Sequence, residues 1–269
     1  MASAVRLTLD AAREPELEEI LAGLPVSWSL RGGSLAVWVT EEEANEAEEL
    51  LRVAGLAILA REVEPERDWV AEAAALQRPV AVAGFVLDPH EPPSADPGGR
   101  RRLYLPAERA FGTGSHESTR LALRLLVDAL PPRATVLDVG CGAGTLALAA
   151  RAAGARKALG FDVDLDAPVA ARLNALRNGV DGCAFWGGPL ASLSPSARFD
   201  VVVANMLQEE VGPLLPSFPP LLRPGGLLVT AGQLVANEAE FLALLAAAGF
   251  RPRALASEGE WLGTLSVRA

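Results

Sequence analysis

The chain has little with which to hold a metal, a disulfide or a nucleic-acid backbone. Its 269 residues include two cysteines, Cys141 and Cys183, and two histidines, His90 and His116. The cysteines have neither metal-site nor disulfide spacing, and two histidines cannot build a multi-histidine metal site, so no metal is expected and a reducing cytoplasm is the natural home. Lysine is nearly missing: Lys157 stands alone, and the abundance of arginine, alanine, glycine and proline reads as coding bias in a GC-rich genome. Acidic residues outnumber basic ones 34 to 24, a formal charge of −10. That balance counts against strong direct nucleic-acid binding and favours a basic protein partner. No apolar run approaches the roughly 20 residues of a membrane span. Residues 1–14 lack a basic stretch followed by a hydrophobic block, so a soluble, unprocessed protein is expected. Half of the residues are apolar, enough for one large core and a second, small one.

What the chain does have is a glycine-rich turn with an acid at its mouth. Asp138-Val139-Gly140-Cys141-Gly142-Ala143-Gly144 follows the apolar run 134–137 and leads into Thr145-Leu146-Ala147-Leu148-Ala149-Ala150. This is a strand, a tight turn and a helix in succession. Glycine lets the chain turn there and lets a ligand approach the main chain where a Cβ would collide. A dinucleotide fingerprint, G-x-G-x-x-G, would place its third glycine at position 145, where Thr145 stands. Asp138 would also set a negative charge where helix-terminus amides should hold a pyrophosphate. A cationic ligand suits the turn better. Asp162 closes the apolar segment ending Gly160-Phe161, 22 residues after Gly140, the spacing at which a carboxylate on the next strand takes ribose hydroxyls. Asp138, Gly140, Gly142, Gly144 and Asp162 together point to S-adenosylmethionine; the competing reading makes them strand-end acids beside a structural turn.

Residues 1–63 read as a small α+β domain. Strands are expected at residues 5–9, 26–30, 34–40 and 56–63 and helices at 15–24 and 41–53, the β-α-β-β-α-β order of a ferredoxin-like split βαβ. Nothing in it carries chemistry, so it reads as a docking module. Residues 64–102 form a connector, with a helix expected at 68–77, a strand at 80–87 and a proline-rich loop at 88–99. Arg100-Arg101-Arg102 after it is a solvated loop edge in the simpler reading and an RNA contact in the other. Residues 103–269 make the third segment: a strand at 103–105, a turn at 111–116 and a helix at 117–130 stopped by Pro131-Pro132. Strands at 134–137, 158–162, 183–186, 199–204 and 227–231 then alternate with helices, including ones at 168–178, 211–222 and 238–248, before a final strand pair. The fold class is therefore α/β, Rossmann-like, with a mostly parallel seven-stranded sheet and ligands at the carboxyl ends of its strands.

Asn205 ends the apolar strand Val201-Val202-Val203-Ala204, at the same sheet edge as Asp138 and Asp162. An asparagine at a strand end is often a turn former. Next to the backbone carbonyl of Met206, its side-chain carbonyl also completes the acceptor pair that an amine needs to aim its lone pair at a sulfonium methyl. Positioning is most of what such a transfer requires, which makes Asn205 the candidate catalytic residue. A lysine amine is neutral in about one molecule in 2,500 at pH 7 and an α-amine in about a tenth. No dedicated base is evident, so deprotonation is expected to precede reaction, the proton going to water.

Phe111-Gly112-Thr113-Gly114-Ser115-His116-Glu117-Ser118-Thr119, the glycine turn, Asp162-Val163-Asp164 and Ala204-Asn205-Met206-Leu207 resemble the bacterial ribosomal protein L11 methyltransferases, class I S-adenosylmethionine-dependent enzymes. The likeness runs from about Trp69 to the end and includes Glu258-Gly259-Glu260-Trp261; the N-terminal domain matches in topology only. The resemblance implies methyl transfer to lysine side chains or the N-terminal amine of a ribosomal protein, free or on the ribosome, with the N-terminal domain docking it. Another protein, an RNA or a small-molecule amine is the alternative acceptor. It also implies that Thr119, Gly140, Asp162 and Asn205 contact the cofactor, that Phe111, Gly112 and Thr113 line the same pocket, and that His116 fixes its loop by a hydrogen bond. The chain departs from the pattern at Pro106-Ala107-Glu108-Arg109, before the turn, and at Gly187-Gly188, where an acid often follows the third strand.

Overall fold

Along β1 (Ala4–Asp10), Val5, Leu7 and Leu9 alternate with Arg6 and Thr8, the period of a strand that buries one face. The computed structural model describes residues 4–10, 20–21, 24, 27–31, 34–41, 43–64, 78–93, 98–106 and 116–268, and the chain divides into two compact units, Met1–Glu72 and Ala73–Ala269. In the first unit, β2 (Ser27–Arg31), β3 (Ser34–Thr40) and β4 (Ile58–Glu64) join β1 in an antiparallel sheet of order β2-β3-β1-β4. The helix α1 (Ala44–Val53) buries Ala44, Ala47 and Leu51, which pack with Val5, Leu7, Leu9, Leu35, Val37 and Val39. Of the helix expected at 15–24 only Ile20, Leu21 and Leu24 are described, and all three belong to this core. The helix expected at 68–77 lies outside the described residues.

The second unit begins with β5 (Val80–Val82), β6 (Phe85–Asp88) and β7 (Arg101–Tyr104) in a sheet of their own. The sequence reads as one strand over 80–87; the chain instead folds back on itself. Ala83 and Gly84 both take positive φ, 48° and 80°, the backbone of a two-residue hairpin turn that an unbroken apolar run hides. Of the three arginines that follow the proline-rich loop, two are tied into the fold. Arg102 Nε donates to the buried Asp88 carboxylate at 3.0 Å, and Arg101 Nη1 to the Ala152 carbonyl at 3.0 Å.

Then α2 (Glu117–Ala129), β8 (Thr135–Val139), α3 (Thr145–Ala152), β9 (Lys157–Asp162), α4 (Ala167–Arg177), β10 (Cys183–Gly187), β11 (Phe199–Asn205), α5 (Gln208–Val211), β12 (Leu222–Leu234), α6 (Glu238–Ala247), β13 (Phe250–Glu258) and β14 (Trp261–Arg268) follow. The large sheet has seven strands in the order β10-β9-β8-β11-β12-β14-β13. The first five are parallel; β14 runs antiparallel between β12 and β13. All of Thr135–Val139 is buried, because helices cover both faces and leave separate apolar clusters on each. Neighbouring strands run off in opposite directions from β8, so a crevice opens between the carboxyl ends of β8 and β11. Two expectations fail nearby. The helix expected at 211–222 is a four-residue α5 followed by 3-10 segments, since Pro213, Pro216, Pro219 and Pro220 each lack the N–H that an α-helix needs. The strand expected at 227–231 begins earlier, since β12 takes in Arg223-Pro224-Gly225-Gly226 with a break in register against β11. No described helix is long and apolar enough to cross a membrane.

Candidate active site

The glycine turn sits in the crevice with φ of 66° at Gly140, 48° at Gly142 and 80° at Gly144. At Gly144 packing also forbids a side chain, and at Gly140 one would press on the flexible end of Met206. A Cβ on Gly140 would lie 3.1 Å from Met206 Sδ, and one on Gly144 would lie 2.8 Å from the Ala171 Cβ. The turn can therefore close down between α4 and the end of β11 only because it is bare. Its amides are put to use: Gly144 N–H donates to the Cys141 carbonyl at 2.8 Å and Gly142 N–H to Asp162 Oδ2 at 2.9 Å.

Asp162 is held from both sides. While Oδ2 takes the Gly142 amide, Oδ1 accepts from Asp164 N–H at 3.1 Å. Its direction is thus fixed before any ligand arrives. Asp138 is buried and accepts from Ala147 N–H of α3 at 3.0 Å. Burial pushes its pKa up to about 7 against that hydrogen bond, and the charge of Asp162 adds to the rise. The sign of the consequence follows. Below about pH 7 the free protein carries the proton on Asp138; a cationic ligand in the cavity favours the carboxylate and expels it. Affinity for such a ligand is expected to climb as pH rises toward about 7 and to level off above, with up to one proton released per ligand bound near pH 6. Calorimetry in buffers of differing ionisation heat checks this, and Asp138→Asn should abolish the proton release.

Asn205, at the end of β11, turns its amide toward α2. Nδ2 donates to Thr119 Oγ1 at 3.1 Å, while Oδ1 is buried with no hydrogen-bond partner among the described residues. A buried carbonyl without a donor is costly, about 1–3 kcal/mol; this one belongs to a residue lining a cavity of about 510 Å³. The Met206 carbonyl, expected from the sequence to be the exposed second acceptor, already takes Gln233 Nε2 at 2.8 Å. A bulge in β12 at Gly232 brings Gln233 there, so one lone pair of the Met206 carbonyl is taken and the other is left for a second donor.

His116 caps α2, its Nδ1 accepting from Ser118 N–H at 3.3 Å, and its ring meets Trp261 edge-on at 4.8 Å. Arg120 and Arg124 both reach Glu258 at 2.6 Å. These ion pairs tie α2 to the β13–β14 hairpin and so set Trp261 against the cavity.

Thr119, Asp138, Gly140, Gly142, Asp162 and Asn205 all line this cavity. Gly144 stands behind it as packing, and Phe111, Gly112 and Thr113 lie outside the described residues. The sequence reading missed Glu210, which lines the same cavity and caps α5 by accepting Leu207 N–H at 3.0 Å. Its only sequence signal is an acid five residues beyond Asn205, just ahead of the helix expected to begin at 211. Gln233 and Gly232 were missed too, since a bulge leaves no periodic trace. Among the described lining residues are three carboxylates, Asp138, Asp162 and Glu210, and no lysine or arginine.

A parallel sheet closed by one antiparallel strand, with an acid and a glycine turn at β8 and a second acid at β9, defines a Rossmann-like class I methyltransferase domain. The chain belongs to the ribosomal protein L11 methyltransferase family, whose model matches residues 35–268. Among relatives, a ribosomal protein L11 methyltransferase of Thermus thermophilus is 42% identical over 165 residues, 61% of this chain and 64% of the relative. One from Methylobacillus flagellatus is 38% identical over 63% of this chain and 56% of its own length. With the first two relatives the match thus spans less than two thirds of their length. One from Thiobacillus denitrificans is 36% identical over 87% of this chain and 80% of its own. The crystal structure of a ribosomal protein L11 methylase from Lactobacillus delbrueckii superposes with a TM-score of 0.63 at 29% identity, covering 68% of this chain and 93% of that one.

Proposed function

We propose that the protein transfers methyl groups from S-adenosylmethionine to amines of ribosomal protein L11, on lysine side chains or at the N-terminus, in the cytoplasm. The observation that carries this reading is the buried Oδ1 of Asn205, without a hydrogen-bond partner among the described residues, on a residue that lines a cavity whose charged lining, among the described residues, is acidic. The donor set fits the cofactor. Asp162 offers a preset carboxylate to ribose hydroxyls, the bare turn at Gly140 and Gly142 lets a nucleoside lie against main chain, and three carboxylates suit a ligand that carries positive charge and repel a pyrophosphate. When bound, the cofactor supplies an already activated methyl donor, so the protein's task is positioning. The acceptor class is taken from the relatives' names and from the acidic balance of the chain, which suits a basic protein. The N-terminal unit serves to dock that protein.

The residues then divide the work. Thr119 holds Nδ2 of Asn205, which leaves the amide oxygen to accept an N–H of the incoming amine and orient its lone pair. Neutralising a lysine ammonium costs about 4.6 kcal/mol at pH 7, and the apolar wall provided by Met206, Leu207 and Trp261 disfavours the charged form. Glu210, beside them, meets the amine while it is still an ammonium. Glu210→Gln keeps an acceptor for the Leu207 amide and removes the charge. It is expected to raise KM for a lysine-bearing acceptor about 5- to 20-fold near neutral pH, with kcat within about twofold. An unchanged KM would remove Glu210 from acceptor binding.

The reading as a whole is tested by incubating the protein and labelled S-adenosylmethionine with free ribosomal protein L11, with other ribosomal proteins and with bulk RNA. Label is expected in L11, on amines, and it should vanish with Asn205→Ala. Label in RNA, or in none of the fractions, would overturn it.

A further inference from the structure

The main chain just after Asn205 is held at three points. Met206 N–H donates to the Ala231 carbonyl at 3.0 Å, Leu207 N–H to Glu210 at 3.0 Å, and the Met206 carbonyl accepts from Gln233 Nε2 at 2.8 Å. Gly232 makes the close approach possible, since a Cβ there would lie 2.6 Å from the Met206 oxygen. Met206 and Gly232 both line the cavity, and Gln233 beside them is fully buried. Gln233 Nε2 donates a second time, to the Ala231 carbonyl at 3.0 Å. Because both neighbours are carbonyls, only the NH2 end of the amide can lie between them. Its Oε1 is left buried with no hydrogen-bond partner among the described residues. Such an oxygen costs stability, and an apolar side chain of the same length, such as methionine, would fill the position without that cost. The fold gives up stability here to hold one carbonyl.

We infer that Gln233 is a positioning residue for methyl transfer: it holds the Met206 carbonyl so that this oxygen, together with Asn205 Oδ1, aims the acceptor amine. The inference rests on the amine-transfer function proposed above. A carbonyl oxygen has two lone pairs, and Gln233 takes one of them. A neutral primary amine has two N–H groups and one lone pair. With one acceptor it swings about a single hydrogen bond; with two, the direction of its lone pair is set, and attack on a sulfonium methyl depends on that direction. Gln233 acts through Met206. Without the Nε2 donor, the Met206–Leu207 peptide keeps Glu210 at its N–H end and nothing from position 233 at its carbonyl end, so the carbonyl is free to rock.

Gln233→Met separates this role from a purely structural one. It is expected to melt at or above the wild-type temperature, to bind the demethylated product S-adenosylhomocysteine within about twofold, and to lower kcat on ribosomal protein L11 about tenfold with KM within about threefold. Gln233→Glu restores the donor in one protonation state alone. Burial raises the pKa of a carboxyl group; the protonated form can donate to the Met206 oxygen and the ionised form cannot. Asp138, Asp162, Glu210 and His116 line the cavity in both proteins, so their titration largely cancels in the ratio of variant to wild-type rates. That ratio should stand within about threefold of one near pH 6 and fall at least about tenfold by about pH 9. Wild-type kcat in Gln233→Met would overturn the role while leaving methyl transfer intact. So would a Gln233→Met protein whose melting temperature and product affinity fall in step with its rate, or a Gln233→Glu ratio that does not change with pH. A wild type that labels no amine would overturn the transfer function, and this role with it.

Discussion

Asn205→Ala is expected to lower methyl transfer to an amine on the order of 10²- to 10³-fold while cofactor affinity stays within a few-fold. The asymmetry comes from the geometry. Asn205 has one oxygen and one nitrogen to place; Nδ2 donates to Thr119, and Oδ1 has no partner among the described residues. A side chain held in this way contributes little to holding a nucleoside and much to orienting whatever donor enters the cavity. Methyl transfer in line with a carbon–sulfur bond is sensitive to angle, so loss of the acceptor leaves the amine free to point its lone pair elsewhere. Thr119→Val separates orientation from presence. It keeps the shape, removes the acceptor for Nδ2 and lets the amide rotate, and a loss of about tenfold in kcat is expected, smaller than that of Asn205→Ala. Single-turnover rates with saturating cofactor and acceptor measure both. Wild-type turnover in Asn205→Ala would remove this residue from the acceptor site, whatever the cofactor proves to be.

The parts of this site that the sequence made legible are those in which local chemistry and sheet position coincide. Asp138, the glycines and Asp162 follow apolar runs that can only be buried parallel strands, and a residue ending such a strand must emerge at the crevice. Asn205 was legible for the same reason, and the mostly parallel character of the large sheet follows from alternating strands and helices. What the sequence concealed was produced by departures from regular structure. The hairpin at Ala83-Gly84 interrupts an apolar run without any polar residue. The bulge at Gly232 turns Gln233 into a donor for the Met206 carbonyl, taking one lone pair of that acceptor. In place of the helix expected from Val211 there is a four-residue helix starting at Gln208, which makes Glu210, ahead of the expected helix, a capping residue at the cavity. Each case is a backbone irregularity that changes which way one side chain points, and side-chain direction is the quantity that periodicity cannot supply once the period is broken.

Asp162→Ala should do the reverse of Asn205→Ala, with cofactor affinity falling by about 10²- to 10³-fold and transfer failing for want of bound donor. Hydrogen bonds to a charged acceptor contribute about 1.5–3 kcal/mol each, and a ribose offers two hydroxyls, so the upper end of that range is within reach. The structural context raises the effect further. Asp162 accepts from Gly142 and from Asp164, so its removal leaves two amides without acceptors at the mouth of the turn and loosens the loop that lies against the nucleoside. Asp162→Asn distinguishes charge from geometry. An amide presents one oxygen, able to serve either Gly142 or Asp164, and its NH2 group opposes the other amide; the expected affinity lies between wild type and Asp162→Ala. Calorimetry with the demethylated product, S-adenosylhomocysteine, reads all three without requiring turnover. The shift in melting temperature on adding saturating product should shrink in the same order, because a ligand stabilises the fold only in proportion to the logarithm of its occupancy ratio. If Asp162→Ala bound the product as tightly as wild type, the carboxylate would not be the ribose ligand, and the nucleoside would have to lie elsewhere along the crevice even if Asn205 still governed transfer.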